Sequence, residues 1–512
     1  MHRRKAGPIS CETTRNPQVI HAKMVKQQSI KTNQTWHESL LLFSIACLLI
    51  PFHAIILYFA GLELHFDEAQ YWNWSRHLDW SYYSKGPLIA WLIALADKLF
   101  GHGEWQVRFF AWLLHGLFLI TLYQFANQLW GNRLAGRWAL VIGLTTPIYF
   151  TLGSFMTTDI ILLLFWTAGL WSAYRFFVVK DDFALYLFAI ATGLGILTKM
   201  TILLLPIAVI CVGLTSAEWR NRIQPKLFIG PVLATIIVAM PVVIWNLQHD
   251  FVQFRHDIGH VAKADGNTLE FLAGSLIAVS PVVGILMLLS ISSRALAPDV
   301  VFIKQITLFL LLFFLLKSVH GKVQINWASP VYVGLIVIFA GQLLTFGRIK
   351  QVVLSIGIVL SIMINAIVFF PDLINIDPRQ SHLKKMIDWK LPVESLAKKL
   401  PDTEFIITEN YHLASELAFY WPAKLPIYNL PGRHRRYNQF DLWPGPEEVV
   451  GKNGVFISQG GPPPLELESA CSKMETLYGI ESSVKDGQSS RKLSAWRCFN
   501  YQHFNWQQPS RY

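Results

Sequence analysis

Charge is scarce in this 512-residue chain: 15% of its residues are Asp, Glu, Lys or Arg, against 53% hydrophobic, and the mean hydropathy is +0.37. So apolar a chain cannot be arranged around one water-soluble core of this length, and it reads as a polytopic α-helical membrane protein. Cysteine is nearly absent, with five residues, no CxxC pair, and Cys47 and Cys211 inside apolar stretches. That excludes a zinc ribbon or a disulfide framework, although Cys471 and Cys498 can pair in an oxidising compartment. Internal repeats and low-complexity tracts are missing. Ionisable residues are rare within the apolar stretches, which argues against an ion-coupled transporter, because proton and sodium relays need charges near the membrane midplane. The net charge of +11 does not imply nucleic acid. The basic residues fall mostly in short connections between apolar runs, where they act as topology signals.

A basic tail, residues 1–36, is expected to stay cytoplasmic, and the lack of a small-residue cleavage site after the first apolar run makes that run a retained helix. About eleven apolar segments follow, at 40–62, 107–129, 138–155, 160–179, 184–198, 201–216, 227–245, 269–290, 302–316, 328–346 and 352–370. Arg133, Arg137, Lys180, Arg220, Arg222, Lys226, Arg294, Lys304, Arg348 and Lys350 then share the side of the N-terminus, which supports an odd number of crossings. The two short segments around Lys199 leave open a re-entrant or tilted pair. Residues 63–106, 246–268 and 317–327 share the opposite, non-cytoplasmic face with Asp159 and Lys199. After residue 370 the composition turns polar, and strands at 403–409 and 454–459 around a helix at 411–420 suggest a small α/β soluble domain over 371–512. Gly432-Arg433-His434-Arg435-Arg436 reads either as a contact for an anionic headgroup or glycan, or as an ordinary solvated loop.

Chemistry-bearing residues crowd the non-cytoplasmic face. Phe66-Asp67-Glu68-Ala69-Gln70, followed by Tyr71, Trp72 and Trp74, puts two adjacent carboxylates just outside the first span. Their plainer reading is as caps of an interfacial helix. Lys85, before Gly86-Pro87, lies in a stiff turn where a point cation can bind phosphate or simply snorkel. Gln248, His249, Arg255, His256 and His260 form a loop suited to phosphate or sugar. His256 and His260 have the spacing of two ligands on one helix face, but no glutamate follows the first histidine as in a zinc protease. Lys317, His320 and Lys322 form a second cationic patch beside Asn326 and Trp327. Residues 87–100 are amphipathic enough to lie along the bilayer surface.

Taken in order, Asp67-Glu68, Tyr83-Ser84-Lys85-Gly86-Pro87-Leu88, Glu104 to Arg108, Thr157-Thr158-Asp159, Trp245-Asn246-Leu247-Gln248-His249-Asp250, Asn326-Trp327, Tyr411 to Tyr420 and Asp441-Leu442-Trp443 carry a family likeness. The chain resembles the bacterial protein-mannosyltransferase-like branch of the GT-C membrane glycosyltransferases, which includes the lipid A aminoarabinose transferases. Gly86 departs from that pattern, standing where the family often has a second proline. The resemblance implies inverting transfer of a sugar from a polyprenyl (undecaprenyl) phosphate to lipid A, core glycolipid or another envelope glycan at the periplasmic boundary of a bacterial inner membrane. Transfer to protein and a flippase for lipid-linked sugars are the alternatives. It further implies catalytic roles for Asp67, Glu68 and Asp159, and donor-phosphate binding by Lys85, Arg108, Arg255, Lys317 and Lys322. Substrate contacts fall to Gln248, His249, His256, His260, His320, Asn326 and Trp327. It fixes no cofactor. A divalent cation, Mg, Mn or Zn, stays open, with Asp67, Glu68 and Asp159 as the candidate ligands.

Overall fold

The structure, a computed structural model, describes residues 17–261, 266–292, 298–430, 436–481, 491–503 and 509. Seven helices among the described residues are long and apolar enough to cross a bilayer: Glu38–Phe59, Glu104–Trp130, Thr158–Val179, Pro225–Gln248, Asp299–His320, Ile325–Thr345 and Arg348–Phe369. The other four expected segments are helical but broken or short. Residues 138–155 split into Arg133–Thr145 and Pro147–Ser154, because Pro147 has no N–H for the helical ladder and pushes Thr146 to an extended backbone. The next broken segment bends by 101° between Thr268–Ala278 and Pro281–Ser292, with Ser280 at a φ of +71° ahead of the proline. Ala184–Ile196 and Met200–Gly213 reach only about 20 Å each at the helical rise, short of a hydrocarbon core of roughly 30 Å. They meet at Lys199.

Burial orders the bundle. Over their most apolar stretches, 83% of residues in Ile325–Thr345 and 72% in Thr158–Val179 are buried, against 17% in Pro225–Gln248. The first two form the centre, while the third turns most of its surface to lipid, its backbone polar groups satisfied within the helix. Scarce as ionisable groups are within the spans, two histidines are locked there. His53 Nε2 lies 2.9 Å from His115 Nδ1, and Ser154 Oγ lies 3.0 Å from His53 Nδ1, a polar tie between three helices.

Beyond residue 370 the chain forms the expected mixed domain. Strands β1 (Phe405–Thr408), β2 (Ile427–Asn429), β3 (Gly454–Ser458), β4 (Cys471–Glu481) and β5 (Lys492–Tyr501) make one sheet in the order β2-β1-β3-β5-β4. The β1 contacts are parallel and the two involving β5 antiparallel. Helix Tyr411–Tyr420 follows β1, and a Cys471–Cys498 disulfide ties β4 to β5. This domain is clamped to residues 63–106. The Tyr420 hydroxyl accepts from Leu64 N (2.9 Å) and donates to Glu104 Oε1 (2.8 Å). Glu63 accepts from the N–H groups of Trp389 and Lys390, and Gln439 Oε1 accepts from Tyr83 N (2.7 Å). The domain is thereby a roof over residues 63–106.

Candidate functional site

Helix Phe66–Arg76 starts with a capping box in which histidine takes the usual Ser or Thr position. The His65 side chain accepts from Asp67 N, and Glu68 Oε2 accepts from His65 N (3.0 Å). Successive helical residues point about 100° apart, so Asp67 and Glu68 cannot face the same way. Glu68 turns inward and is fully buried. Its carboxylate takes Arg108 Nη2 at 2.8 Å, Arg108 Nε at 3.0 and 3.2 Å, and Met156 N at 2.9 Å. Arg108 spends its remaining donors on the carbonyls of Leu62 and Glu63. The pair expected to share in catalysis and phosphate binding, Glu68 and Arg108, therefore lies behind the site and fixes the loop.

Asp67 faces the other way, into a cavity of about 1060 Å³. Its side chain is 43% accessible within that space, yet it lies deep enough for burial to raise its pKa, with Asp159 adding to the rise and His65, Lys85 and Lys385 opposing it. Position in the first helical turn favours the ionised form, while desolvation draws the pKa upward. Lys85 lines the same cavity. Burial, and then Lys199, pull its pKa down, against Asp257, Asp159 and Asp67. Asp159, from the start of the central helix, accepts from Lys199 Nζ on one oxygen (2.7 Å) and from Asn326 Nδ2 on the other (3.0 Å). Trp327, Lys317 and His256 also line the wall. The cavity's other end is apolar, formed by Ile277, Phe313, Phe314, Ile364 and Val368 from membrane helices.

The turn carrying Lys85 is held by backbone contacts that require Gly86. Gly86 N donates to Thr198 O and Leu88 N to Leu197 O, and a Cβ on residue 86 would sit 2.1 Å from the Leu197 carbonyl oxygen. Proline would supply that Cβ and remove the N–H, so the departure from the family pattern matches this close approach. It docks Lys85 against the break that carries Lys199. On the other side Ser81 Oγ donates to Gln253 Oε1 (2.9 Å), and Trp245 Nε1 donates to Asp79 Oδ2 (2.7 Å).

Other expected residues do not converge. Gln248, Arg255, His320 and Lys322 are exposed and outside the cavity wall. His249 stacks on Trp245 with ring centroids 4.1 Å apart and supports the loop. The side chain of His260, like residues 432–435 of the basic cluster, lies outside the described residues. His256 Nδ1 is 3.1 Å from Asp257 Oδ1. Nor do the candidate ligands fit a divalent cation, which needs four or more converging donors. Glu68 is engaged by Arg108, both Asp159 oxygens are engaged, and no group of three or more His, Cys, Asp or Glu among the described residues is placed to hold a metal.

Sequence reasoning assigned no site role to Lys199, Tyr71, Tyr83, Tyr411, His412 or Asn438, all of which line the cavity, and Arg436, from the basic cluster read as a possible anion or glycan contact, lines it too. Lys199 had a signal, a lone cation between two helices too short to cross. His412 is held neutral, its pKa pushed down to about 4 by burial, with His65, Arg436 and Lys385 adding to the effect.

A family model described as dolichyl-phosphate-mannose-protein mannosyltransferase matches residues 84–245. Among curated proteins, the chain is 28% identical over 427 residues to the lipid A galacturonosyltransferase RgtD of Rhizobium johnstonii, covering 79% of this chain and 88% of that one. It is 23% identical over 310 residues to the undecaprenyl phosphate-alpha-4-amino-4-deoxy-L-arabinose arabinosyl transferase of Aeromonas hydrophila, covering 54% of this chain and about half (55%) of the relative. Among solved structures, ArnT from Cupriavidus metallidurans bound to undecaprenyl phosphate superposes with a TM-score of 0.61 at 15% identity, over 89% of this chain and 98% of that one. That last likeness is one of fold.

Proposed function

We propose that this chain is a membrane glycosyltransferase of the GT-C type that moves a sugar from a polyprenyl phosphate, undecaprenyl in a bacterium, to lipid A, core glycolipid or another envelope glycan. The observation that carries the reading is one cavity in which the open carboxylate of Asp67 and the ammonium of Lys85 share a polar end that continues into an apolar end between membrane helices. A donor with a lipid tail, a phosphodiester and a sugar has that sequence of polarities. The curated relatives named above carry lipid A and undecaprenyl phosphate sugars in their names, in line with this choice of substrates.

In the proposed reaction Asp67 takes the proton of an acceptor hydroxyl as its oxygen attacks the anomeric carbon opposite the phosphate. The bond from that carbon to the phosphate oxygen breaks with its electron pair, giving an inverted glycoside and polyprenyl phosphate. Burial moves Asp67 toward the working pH, which strengthens it as a base. Lys85 offsets the charge that develops on the departing phosphate. Lys199 and Asn326 hold Asp159 as a neutralised pair that shapes the floor, and Lys317 stands on the wall for the acceptor or the donor phosphate. Glu68 and Arg108 set the angle of Asp67's helix. An acceptor that is already a phosphate needs no base.

We further assign the N-terminus to the cytoplasm and the C-terminal domain to the periplasm. Basic residues on one face support this, as does the end of the bundle remote from the cavity, where Arg133 Nε meets Glu38 Oε2 at 3.0 Å. The Cys471–Cys498 bond belongs in an oxidising compartment. Mass spectrometry of lipid A, core glycolipids and envelope proteins from a deletion strain complemented with wild type or Asp67→Asn tests the function. A sugar-sized loss from a glycolipid, restored by wild type alone, is expected. Full restoration by Asp67→Asn would overturn the assignment of Asp67 and favour lipid-linked sugar transport, and a change confined to proteins would move the acceptor class.

A further inference from the structure

One ionisable group of the soluble domain takes no part in the chemistry above. Glu416 lies in the middle of helix Tyr411–Tyr420, fully buried, and neither of its carboxyl oxygens has a hydrogen-bond partner among the described residues. Its place on the helix puts it at the joint with residues 63–106. His412 and Tyr420, one turn before and one turn after, share its face. His412 stacks on Phe66 at 4.0 Å, Phe419 packs on Trp72 with centroids 5.0 Å apart, and the Tyr420 hydroxyl ties Leu64 N to Glu104. The face that carries Glu416 is therefore the one that closes on the helix of Asp67.

The surroundings do not suit a charged carboxylate. From other elements, Glu63, Glu68 and Glu104 act on Glu416 with one cation, the Arg491 guanidinium. Glu68 already pairs with Arg108, Glu63 accepts from Trp389 N and Lys390 N, and Glu104 accepts from Tyr420. Arg491 stacks on Trp389 and donates to the carbonyls of Lys384, Ile387 and Asp388. An ionised carboxylate sealed from water without a donor is so costly that the group takes a proton instead. Burial accordingly drives the pKa of Glu416 well up, with Arg491 opposing and the three acids adding. Lifted into water, the same group returns to the ordinary glutamate range near 4.

We propose that Glu416 is a proton-operated latch: the soluble domain closes over the cavity with a proton on Glu416, gives that proton up when it lifts, and is held down by acid in the surrounding medium. On lifting, the carboxyl O–H bond breaks, its electron pair stays on Glu416 and water takes the proton; closing reverses the step. Tyr411 and His412 line the cavity, so lifting their helix opens the polar end beside Asp67. A pKa raised in the closed state makes closure favourable at low pH and weakens it as pH rises. Between the open and closed values the closed form binds one proton more, and the ratio of closed to open falls about tenfold per pH unit. Glu63, pushed up to about 7, adds a second proton below that pH. Above it the dependence is that of Glu416. The latch goes beyond the transfer reading and does not depend on it.

Amide exchange in the full-length protein in lipid nanodiscs, without substrate, reads the latch. The N–H groups of Leu64 and Tyr83 are held across the joint by Tyr420 and Gln439 and are freed when the domain lifts. Corrected for the intrinsic effect of pH, their exchange in wild type should quicken about tenfold per unit between about pH 7.5 and 9. Glu416→Gln and Glu416→Met, two neutral side chains close in length to glutamate, should remove that slope. Glu63→Gln should keep it and flatten only the dependence below 7. Wild-type exchange with no added slope overturns the latch, as does a slope that survives in a folded Glu416 variant. A slope above pH 7.5 abolished by Glu63→Gln gives the proton to Glu63 and overturns the role of Glu416. None of these readings needs sugar transfer, so an absence of turnover would count against the transfer reading alone.

Discussion

Exchanging each of two neighbouring acids for its amide should produce opposite defects, and the structure gives the size of each. Glu68→Gln removes the charge from a carboxylate that is fully buried and accepts from Arg108, His65 N and Met156 N. The Arg108 guanidinium, 2% exposed, would then be left with only two backbone carbonyls. Stranding one member of a buried ion pair costs about 3–5 kcal/mol, a large share of a usual folding free energy of about 5–15 kcal/mol. Asp67→Asn alters a carboxyl that opens on the cavity and whose ionisation burial disfavours. Because its folded pKa is raised, the stability it contributes is present at low pH and lost as pH rises through that pKa, so the amide should melt no lower than wild type at neutral pH. Loss of a general base should instead lower kcat by about 10²–10⁴-fold. Thermal melting of the two detergent-purified variants, beside single-turnover transfer, reads both effects. The rate of wild type should rise with pH along a limb above the ordinary carboxylate range near 4, and Asp67→Asn should lack it. A Glu68→Gln protein that melts like wild type but is inactive would refute the division of roles, as would an Asp67→Asn protein with wild-type turnover.

Three further outcomes are expected. Gly86→Ala should melt lower and bind donor more weakly, because its Cβ would press within 2.1 Å of the Leu197 oxygen and push the Lys85 turn away; a variant with wild-type donor KM would show that the turn tolerates the shift. Burial pushes the Glu63 pKa up to about 7, with Glu104 and Asp388 adding and the N–H groups of Trp389 and Lys390 opposing. The docking of the soluble domain should therefore draw most from Glu63 below about pH 4.5 and lose up to about 3 kcal/mol as pH rises from there through 7, seen as faster proteolysis after residue 370, and Glu63→Gln should flatten that profile. Reducing the Cys471–Cys498 bond, 27 residues apart, should destabilise the soluble domain by about 3.5 kcal/mol in the chain-entropy account; unchanged melting under reductant would argue against it.

Much of the architecture was legible because it follows from local rules. Hydropathy located every apolar helix, and β-rich runs flanking an apolar helical segment located β1, β3 and the helix between them. Continuity was what hydropathy missed: Pro147 and Pro281 interrupt segments whose composition alone would let them cross. Lys85 and Asp159 were chosen from their place at the membrane edge, and both line the cavity, as do Lys317, Asn326, Trp327 and His256. The histidine-rich loop was overread, since His249 is spent on Trp245 and, of its two described histidine side chains, His256 alone lines the cavity.

The sequence by itself determined that this protein lives in a membrane, the order of its apolar helices, two of the five strands of its sheet, and the stretch where carboxylates meet that membrane's edge. Those properties depend on hydropathy and on hydrogen bonding between near neighbours. Only the tertiary structure decided that Asp67 is open while Glu68 is consumed. That choice depends on Arg108, 40 residues away, arriving on one side of a helix whose successive side chains diverge. It also decided that Lys199 neutralises Asp159 and that residues 436–438 roof the Tyr83 loop, since partners far apart in the chain are selected by packing, which no local pattern of residues encodes.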